Sequence, residues 1–253
     1  MKQANPIIVA LDLPSAAEAR SIVDALGGSA SFYKVGLELY AAEGMPFVRE
    51  LVGGGKQVFL DLKLYDIGET VKRATARLAS SGVTFLTVHG SVPVVRAACQ
   101  GRGESPLKIL AVTVLTSLDG QDIAEEGFSQ TVSGLAALRA RACLAAGADG
   151  LICSALEAAR LRTIAGPEPI LVTPGVRSPS ADAGGQKRVA TPAEALAAGA
   201  DYIVVGRQIS RAPDPCLAME RLKNEIAAAG LSYAKECRPT RPTPPPGLPL
   251  WEP

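Results

Sequence analysis

The 253-residue chain has no dominant charge, because 26 basic residues are balanced by 25 acidic ones and the formal net charge is +1. A protein without a charge excess has no long-range attraction for nucleic acids or anionic membranes. Neither kind of partner is therefore expected, and an anionic ligand needs a local binding site. Apolar residues at 47% and charged residues at 20% are typical of a globular protein with a substantial core.

The chain also lacks paired cysteines and long apolar runs. Its five cysteines form no CxxC pair and their number is odd, which favours reduced, mostly buried thiols in a cytosolic protein. Near the N-terminus the apolar run 7–11 ends at Asp12, so it is too short for a signal peptide or a membrane span. We therefore expect a cytoplasmic protein. The cysteines are Cys99, Cys143, Cys153, Cys216 and Cys237.

The rest of the sequence alternates short β-branched runs with longer stretches of helical spacing, and eight such strand-then-helix units follow one another. Continuously apolar strands between amphipathic helices predict a parallel sheet covered by helices. Eight units in one chain of this length predict a closed (β/α)8 TIM barrel. The alternative is a doubly wound open sheet, but no GxGxxG follows the first strand. The predicted strands are 6–12, 31–38, 57–63, 85–89, 108–116, 150–153, 169–173 and 201–205.

Two segments depart from this alternation. Residues 177–189 (RSPSADAGGQKRV) are polar and rich in Gly and Ser, which predicts a mobile loop. Residues 230–253 form a proline-rich tail that cannot continue as helix or central strand. We therefore predict one catalytic barrel domain over residues 1–229, followed by a tail that is disordered or lies along the surface.

Polar residues recur where the predicted strands end, which is where the active sites of (β/α)8 barrels lie. They are densest in the third unit, at Asp61, Lys63 and Asp66. Residues two apart on a strand share a face, so Asp61 and Lys63 are predicted to point together into the barrel mouth, within reach of Lys34. A structural ion-pair network would also fit, but an array at the mouth favours a functional site.

The segment 61–71, DLKLYDIGETV, resembles the signature DLKxxDIPxTV of the orotidine 5′-phosphate decarboxylase family. The resemblance extends over residues 6–229, with Gly68 and Glu69 standing where the family often has Pro-Asn. The further blocks are VALD at 9–12, YKVGLEL at 33–39, TVHG at 87–90, VTVLTS at 112–117, TPGVR at 173–177, GGQKR at 184–188 and VVGR at 204–207.

The resemblance implies decarboxylation of orotidine 5′-phosphate to UMP without a metal ion or a cofactor. Lys63 would protonate C6 and stabilise the developing carbanion, while Asp61 would lie near the substrate carboxylate. Asp66 and Lys34 would complete the charged array. The resemblance also implies a homodimer, in which Asp66 and Thr70 reach the site of the neighbouring subunit.

Substrate binding is divided among several strand ends. By resemblance, Asp12 and Lys34 are the ribose-binding pair, Thr116 contacts the pyrimidine, and Pro174 also lies against the substrate. His89 is the only histidine of the chain. We interpret it as a hydrogen-bonded core residue rather than a proton donor, and we interpret Tyr65 as a packing residue.

The phosphate site is predicted from the fold as well as from the resemblance. Phosphates in (β/α)8 barrels often bind after strands seven and eight. Those positions carry Arg177, Gln186, Gly206 and Arg207. Gly206 allows a close backbone approach, and the arginines can form charge-assisted hydrogen bonds.

Two other functions remain open from the sequence. One is a metal-dependent sugar-phosphate decarboxylase or aldolase of the same barrel group, which would place an acidic metal ligand where this chain has Lys34. The other is a non-catalytic nucleotide-phosphate sensor, which would not need Asp61 and Lys63 together.

Overall fold

The computed structural model describes residues 5–178 and 190–230, and within these ranges eight parallel strands pair in chain order. β1 pairs with β2 on one side and with β8 on the other, so the sheet closes on itself. This topology confirms the predicted (β/α)8 barrel and excludes the open doubly wound sheet. The strands are β1 (Ile7–Ala10), β2 (Phe32–Gly36), β3 (Gln57–Leu64), β4 (Phe85–His89), β5 (Lys108–Val112), β6 (Gly150–Ile152), β7 (Ile170–Thr173) and β8 (Tyr202–Val205).

Helices follow the strands and surround the barrel. Several begin at a side chain that accepts a hydrogen bond from the first turn, as Ser15 does from the Glu18 amide and Thr191 from the Glu194 amide. The helices are α1 (Ala16–Leu26), α2 (Leu37–Gly53), α3 (Gly68–Ala79), α4 (Val92–Arg102), α5 (Gly120–Glu125), α6 (Val132–Ala145), α7 (Ala155–Ala165), α8 (Pro192–Ala197), α9 (Arg207–Ser210) and α10 (Pro215–Ala228).

The second and fifth units differ most from the predicted boundaries. β2 ends at Gly36 and α2 begins at Leu37, whereas the sequence predicted a strand as far as residue 38 and a helix from about Glu43. A kink at Gly44, which has a φ of 62°, divides α2 into two helical segments, and the predicted helix start near Glu43 lies close to this kink. β5 ends at Val112, four residues before the predicted end at Thr116.

Aromatic side chains fill the barrel interior below its mouth. The ring centroid of Phe85 lies 5.0 Å from that of Phe32, 6.0 Å from that of Phe59 and 5.3 Å from that of Tyr202. Tilted and edge-to-face contacts of this kind add to the stabilisation from apolar burial. The rings belong to a buried apolar cluster inside the barrel. A larger apolar layer lies between the strands and the helices.

Three of the sequence predictions lie outside the described residues. They are the mobile loop beyond Ser178, the phosphate-site residue Gln186 within it, and the proline-rich tail beyond Gly230. Cys237 lies in the same tail.

Candidate active site

A cavity of about 480 Å³ opens at the C-terminal ends of the strands. Its floor includes Ala10, Phe59 and Val112, which belong to the apolar cluster inside the barrel. Because all strands run in the same direction, the polar residues that end different strands converge on this one mouth. The polar and charged lining residues are Asp12, Lys34, Glu38, Asp61, Lys63, Thr116, Ser117, Arg177, Arg207, Ser210 and Arg211.

Four charged side chains from the first three strand ends form an alternating array along one wall. Lys34 Nζ lies 2.7 Å from Asp12 Oδ1 and 3.5 Å from Asp61 Oδ2. Lys63 Nζ lies 2.8 Å from Asp61 Oδ1. Lys34 and Asp61 are the most enclosed members, with side chains 10% and 13% exposed. The structure therefore brings together Asp12, Lys34, Asp61 and Lys63, four residues for which the sequence predicted a shared site.

The carboxyl group of Asp61 is held in its charged form by its neighbours. Burial by itself raises its pKa, but the ammonium groups of Lys34 and Lys63 and hydrogen bonds from Lys63 and Thr87 lower it by more, so the pKa lies below the usual value. The folded-state pKa is thus depressed. The stability that this carboxylate contributes is present above its unfolded-state pKa and is lost as the pH falls through the depressed value.

A β-bulge brings Lys63 to the array. Leu60 pairs with Leu86 of β4, but the next pairing joins Leu64 to Val88, so β3 contains two more residues than β4 over this interval. Lys63 has a φ of 49° and is the one non-glycine residue with a positive φ among those described. Simple strand alternation correctly predicted that Asp61 and Lys63 meet, but it missed the bulge through which they do so.

Thr87 of β4 is a site residue that the sequence analysis did not single out. Its hydroxyl donates a hydrogen bond to Asp61 Oδ1 at 2.8 Å and accepts one from the Lys63 amide at 3.0 Å. The side chain is completely buried. The alternation of side chains along β4 could have identified it. Thr87 lies two residues after Phe85, so both side chains point into the barrel.

Predicted substrate-binding residues from the segments after β5, β7 and β8 also line the cavity. They are Thr116, Pro174, Arg177, Gly206 and Arg207. Arg177 is buried, with 8% of its surface exposed, and its amide donates to the Ala190 carbonyl at 2.9 Å.

The loop that carries Arg177 is joined to the helix that begins at Arg207. The Ser178 amide donates to Gln208 Oε1 at 3.1 Å, and Gln208 Nε2 donates to Ser178 Oγ at 2.6 Å. Ser178 Oγ in turn donates to Glu225 Oε2 of α10. These bonds hold the segment that carries Arg177 next to the start of α9, where Arg207 lies.

A sequence model of the family described as "Orotidine 5′-phosphate decarboxylase / HUMPS family" matches residues 5–222. The chain belongs to this family. A relative from Rhodopseudomonas palustris named orotidine 5′-phosphate decarboxylase is 54% identical over 223 residues, which cover 88% of this chain and 94% of the relative. One of the same name from Methylobacterium nodulans is 50% identical over 226 residues, covering 88% and 96%. The crystal structure of orotidine 5′-phosphate decarboxylase from Lactobacillus acidophilus superimposes with a TM-score of 0.77 at 36% identity, covering 87% of this chain and 98% of that one.

Two predicted site residues of this orotidine 5′-phosphate decarboxylase family member do not line the cavity of their own chain. Asp66 is exposed in the loop after β3, and its carboxylate accepts a hydrogen bond from the Ile67 amide at 2.6 Å. Thr70 is exposed in the first turn of α3. The apolar residues that flank Asp66 are also exposed, Tyr65 at 69% and Ile67 at 72%.

His89 lies beside the mouth but does not line the cavity. Its ring packs on Tyr65 with centroids 4.6 Å apart. Burial and the nearby charge of Arg139 lower its pKa, while Glu126 opposes them. Its Nδ1 is buried and has no hydrogen-bond partner among the described residues. The prediction of a hydrogen-bonded core residue is therefore not confirmed for this atom. The contact with Tyr65 gives that exposed ring its packing partner.

Within residues 5–178 and 190–230, no three His, Cys, Asp or Glu side chains are grouped so that they could hold a metal ion. No described helix of this family member is long and apolar enough to cross a membrane.

Proposed function

We propose that this member of the orotidine 5′-phosphate decarboxylase family converts orotidine 5′-phosphate to UMP and CO2 in pyrimidine biosynthesis. The observation that carries the proposal is the alternating array of Asp12, Lys34, Asp61 and Lys63 in a cavity that Arg177 and Arg207 also line. The cavity volume of about 480 Å³ is within the range of small-molecule sites.

The array suits a reaction that creates a carbanion. Loss of CO2 leaves a carbanion at C6 that the ring carbonyls delocalise poorly, so the site must stabilise the charge and supply a proton. Lys63 is our candidate for both tasks, since its ammonium is held at 2.8 Å from Asp61 and remains 33% exposed towards the cavity. The proton moves from Lys63 Nζ to C6 as the C6–carboxylate bond breaks and CO2 departs.

Asp61 has two roles in this proposal. Its carboxylate orients the Lys63 ammonium through their direct contact. It also repels the substrate carboxylate, and this repulsion is relieved when CO2 leaves. Lys34 stabilises Asp61 from the other side at 3.5 Å. The ionised state of Asp61 follows from its depressed pKa.

The remaining residues orient the substrate. We assign the phosphate to Arg207, Gly206, Arg177 and Gln186, of which Gln186 lies outside the described residues. Charge-assisted contacts to the phosphate would fix the end of the substrate that is distant from C6. The binding energy gained there would help to hold the reacting carbon in position. We assign the ribose to Asp12 and Lys34, and the pyrimidine to Thr116 and Pro174.

We also propose that the active form is a homodimer in which Asp66 and Thr70 complete the neighbouring site. Both are exposed and lie outside their own cavity, which supports a role across an interface. The exposed Tyr65 and Ile67 flank Asp66 and would be buried by the second copy. Two-fold symmetry would then supply both sites equally.

The metal-dependent sugar-phosphate function is the weaker alternative. Its divalent cation would need carboxylates that are available as ligands, whereas Asp12 and Asp61 are both engaged by the Lys34 ammonium. A second positive charge at this place would be repelled by Lys34. The Asp61–Lys63 pair also argues against a non-catalytic sensor, because binding a phosphate does not require it.

We propose the cytoplasm as the location of this reaction. Cys99, Cys143, Cys153 and Cys216 form no disulfide bonds, as is usual for proteins of a reducing compartment. The near-zero net charge supports the absence of nucleic-acid and membrane-surface partners.

UMP formation by the purified, EDTA-dialysed chain tests the proposal. Orotidine 5′-phosphate should be converted to UMP at the same rate before and after dialysis, with no increase when Mg2+ or Zn2+ is added. Loss of activity on dialysis and its recovery with either ion would favour the metal-dependent alternative and contradict our assignment.

A further inference from the structure

One buried hydroxyl group contacts both of the residues to which we assign the central chemistry. Thr87 Oγ1 lies 2.8 Å from Asp61 Oδ1, as donor, and 3.0 Å from the Lys63 amide nitrogen, as acceptor. A threonine hydroxyl has one proton to donate and can accept at the same time, so both bonds can exist together. Thr87 is 0% exposed and contributes no surface to the cavity.

The backbone at Lys63 needs such a contact. Its φ of 49° is in the left-handed region, which side chains with a Cβ rarely adopt. No residue of β3 between Leu60 and Leu64 pairs with β4, so the Lys63 amide has left the regular ladder there. A partly buried amide needs an acceptor, and the Thr87 hydroxyl provides one. Conformations of this kind persist where surrounding contacts enforce them, and they are frequent at functional sites.

The same hydroxyl fixes the carboxylate. Asp61 Oδ1 accepts from both Thr87 Oγ1 and Lys63 Nζ, so one oxygen is held by β4 and by the ammonium at once. Its other oxygen faces Lys34. Rotation of the carboxylate would break one of these contacts. The position of Lys63 Nζ is therefore determined twice by Thr87, through the Lys63 backbone and through Asp61.

We propose that Thr87 is a positioning residue, whose hydroxyl holds the bulge at Lys63 and the carboxylate of Asp61 in the arrangement that catalysis requires. This inference rests on the proposed function, because it takes Lys63 and Asp61 as the reacting pair. Thr87 acts through them and does not touch the substrate.

Three variants of Thr87 separate the effect of its hydroxyl group from that of its methyl group. Thr87→Val keeps the shape of the side chain and removes the hydroxyl, whereas Thr87→Ser keeps the hydroxyl and removes the methyl group. Thr87→Ala differs from the serine variant by the hydroxyl alone and serves if the valine variant does not fold. Circular dichroism and the melting temperature establish that each variant is folded before its kinetics are measured.

We expect Thr87→Val and Thr87→Ala to lower kcat on the order of 10- to 100-fold, the range for losing a hydrogen bond to a charged group. Their KM should change little, because Thr87 does not line the cavity. Thr87→Ser should keep kcat within about threefold of wild type, since both hydrogen bonds can still form.

The pH profile gives a readout that simple packing would not change. The charged groups around Asp61 are Lys34 from β2, Lys63 from β3 and, beyond Lys34, Asp12 after β1, while Thr87 is its neutral partner from β4. Losing the Thr87 donor should raise the pKa of Asp61, because that bond favours the ionised form. The acid limb of kcat should then move to higher pH in the valine variant and stay in place in the serine variant.

The inference is overturned if the folded valine variant has the kcat and acid limb of wild type. It is also overturned if the serine and alanine variants lose the same activity, because these two differ only in the hydroxyl group and packing of the methyl group would then be the cause. Lys63→Ala, measured in parallel, separates this failure from that of the proposed function. If Lys63→Ala is inactive while Thr87→Val is normal, only the role of Thr87 is wrong; if Lys63→Ala is fully active, the assignment of the reacting pair itself is wrong.

Discussion

Gly36→Ala should disrupt the array by adding one methyl group beneath it. Gly36 ends β2 with a φ of −93°, which alanine adopts without strain. The new Cβ would lie 2.7 Å from Asp12 Oδ1 and 2.9 Å from Lys34 Nζ, closer than such atoms approach in proteins. Restoring an ordinary contact requires the Asp12 carboxylate to move by roughly 0.7 Å.

The size of the effect follows from the bond that is lost. The Lys34–Asp12 contact of 2.7 Å cannot remain a short charge-assisted bond after such a shift. Bonds of this type contribute about 1.5–3 kcal/mol, but the Asp12 side chain is 52% exposed, and screening by solvent reduces the value to about 1–1.5 kcal/mol. We therefore expect kcat/KM for orotidine 5′-phosphate to fall roughly 5- to 13-fold.

Steady-state kinetics of Gly36→Ala beside Gly53→Ala provide the test. Gly53 lies at the end of α2, and a Cβ there would meet no atom within 4 Å, so this control should keep the wild-type kcat/KM. Equal activity of both variants and wild type would refute the reasoning, because the Asp12–Lys34 pair would then be irrelevant to turnover or able to tolerate the methyl group.

Two further experiments test the site shared between subunits and the binding of the phosphate by Arg207. Mixing inactive Lys63→Ala and Asp66→Ala chains should restore activity at roughly a quarter of the sites, since half of the dimers are mixed and each has one intact site; no recovery despite demonstrated subunit exchange would refute the shared site. Arg207→Ala should lower kcat/KM on the order of a hundredfold or more for orotidine 5′-phosphate and barely change the turnover of orotidine without its phosphate. Equal losses on both substrates would mean that Arg207 supports the fold or the array instead.

The fold was predictable because each strand-and-helix unit has its own local signal. Short apolar runs, helix caps such as Ser15 and the count of eight units together left few alternatives. The end of β2 was less predictable, because Leu37 and Leu39 continue the apolar alternation of the strand into the first turn of α2. The strand ends at Gly36, directly before the first helical turn, and local alternation does not reveal this boundary.

The site was predictable in composition but not in detail. Strand alternation and adjacency placed Lys34, Asp61 and Lys63 together, as the structure does. The bulge has no local signal, because lysine has no preference for a positive φ. The hydrogen bond that accompanies it is made by Thr87, 24 residues later in the chain, and such a contact exists only after β3 and β4 have paired.

The central claim is that Lys63 drives loss of CO2 from orotidine 5′-phosphate. Its most direct test is the release of labelled CO2 from substrate labelled at the carboxylate carbon, with wild type and Lys63→Ala compared at equal concentrations of folded protein. We predict one CO2 for each UMP formed by wild type, and a loss of turnover on the order of 10²- to 10⁴-fold or more in the variant. Absence of CO2 release by wild type, or equal release by the folded variant, would contradict it.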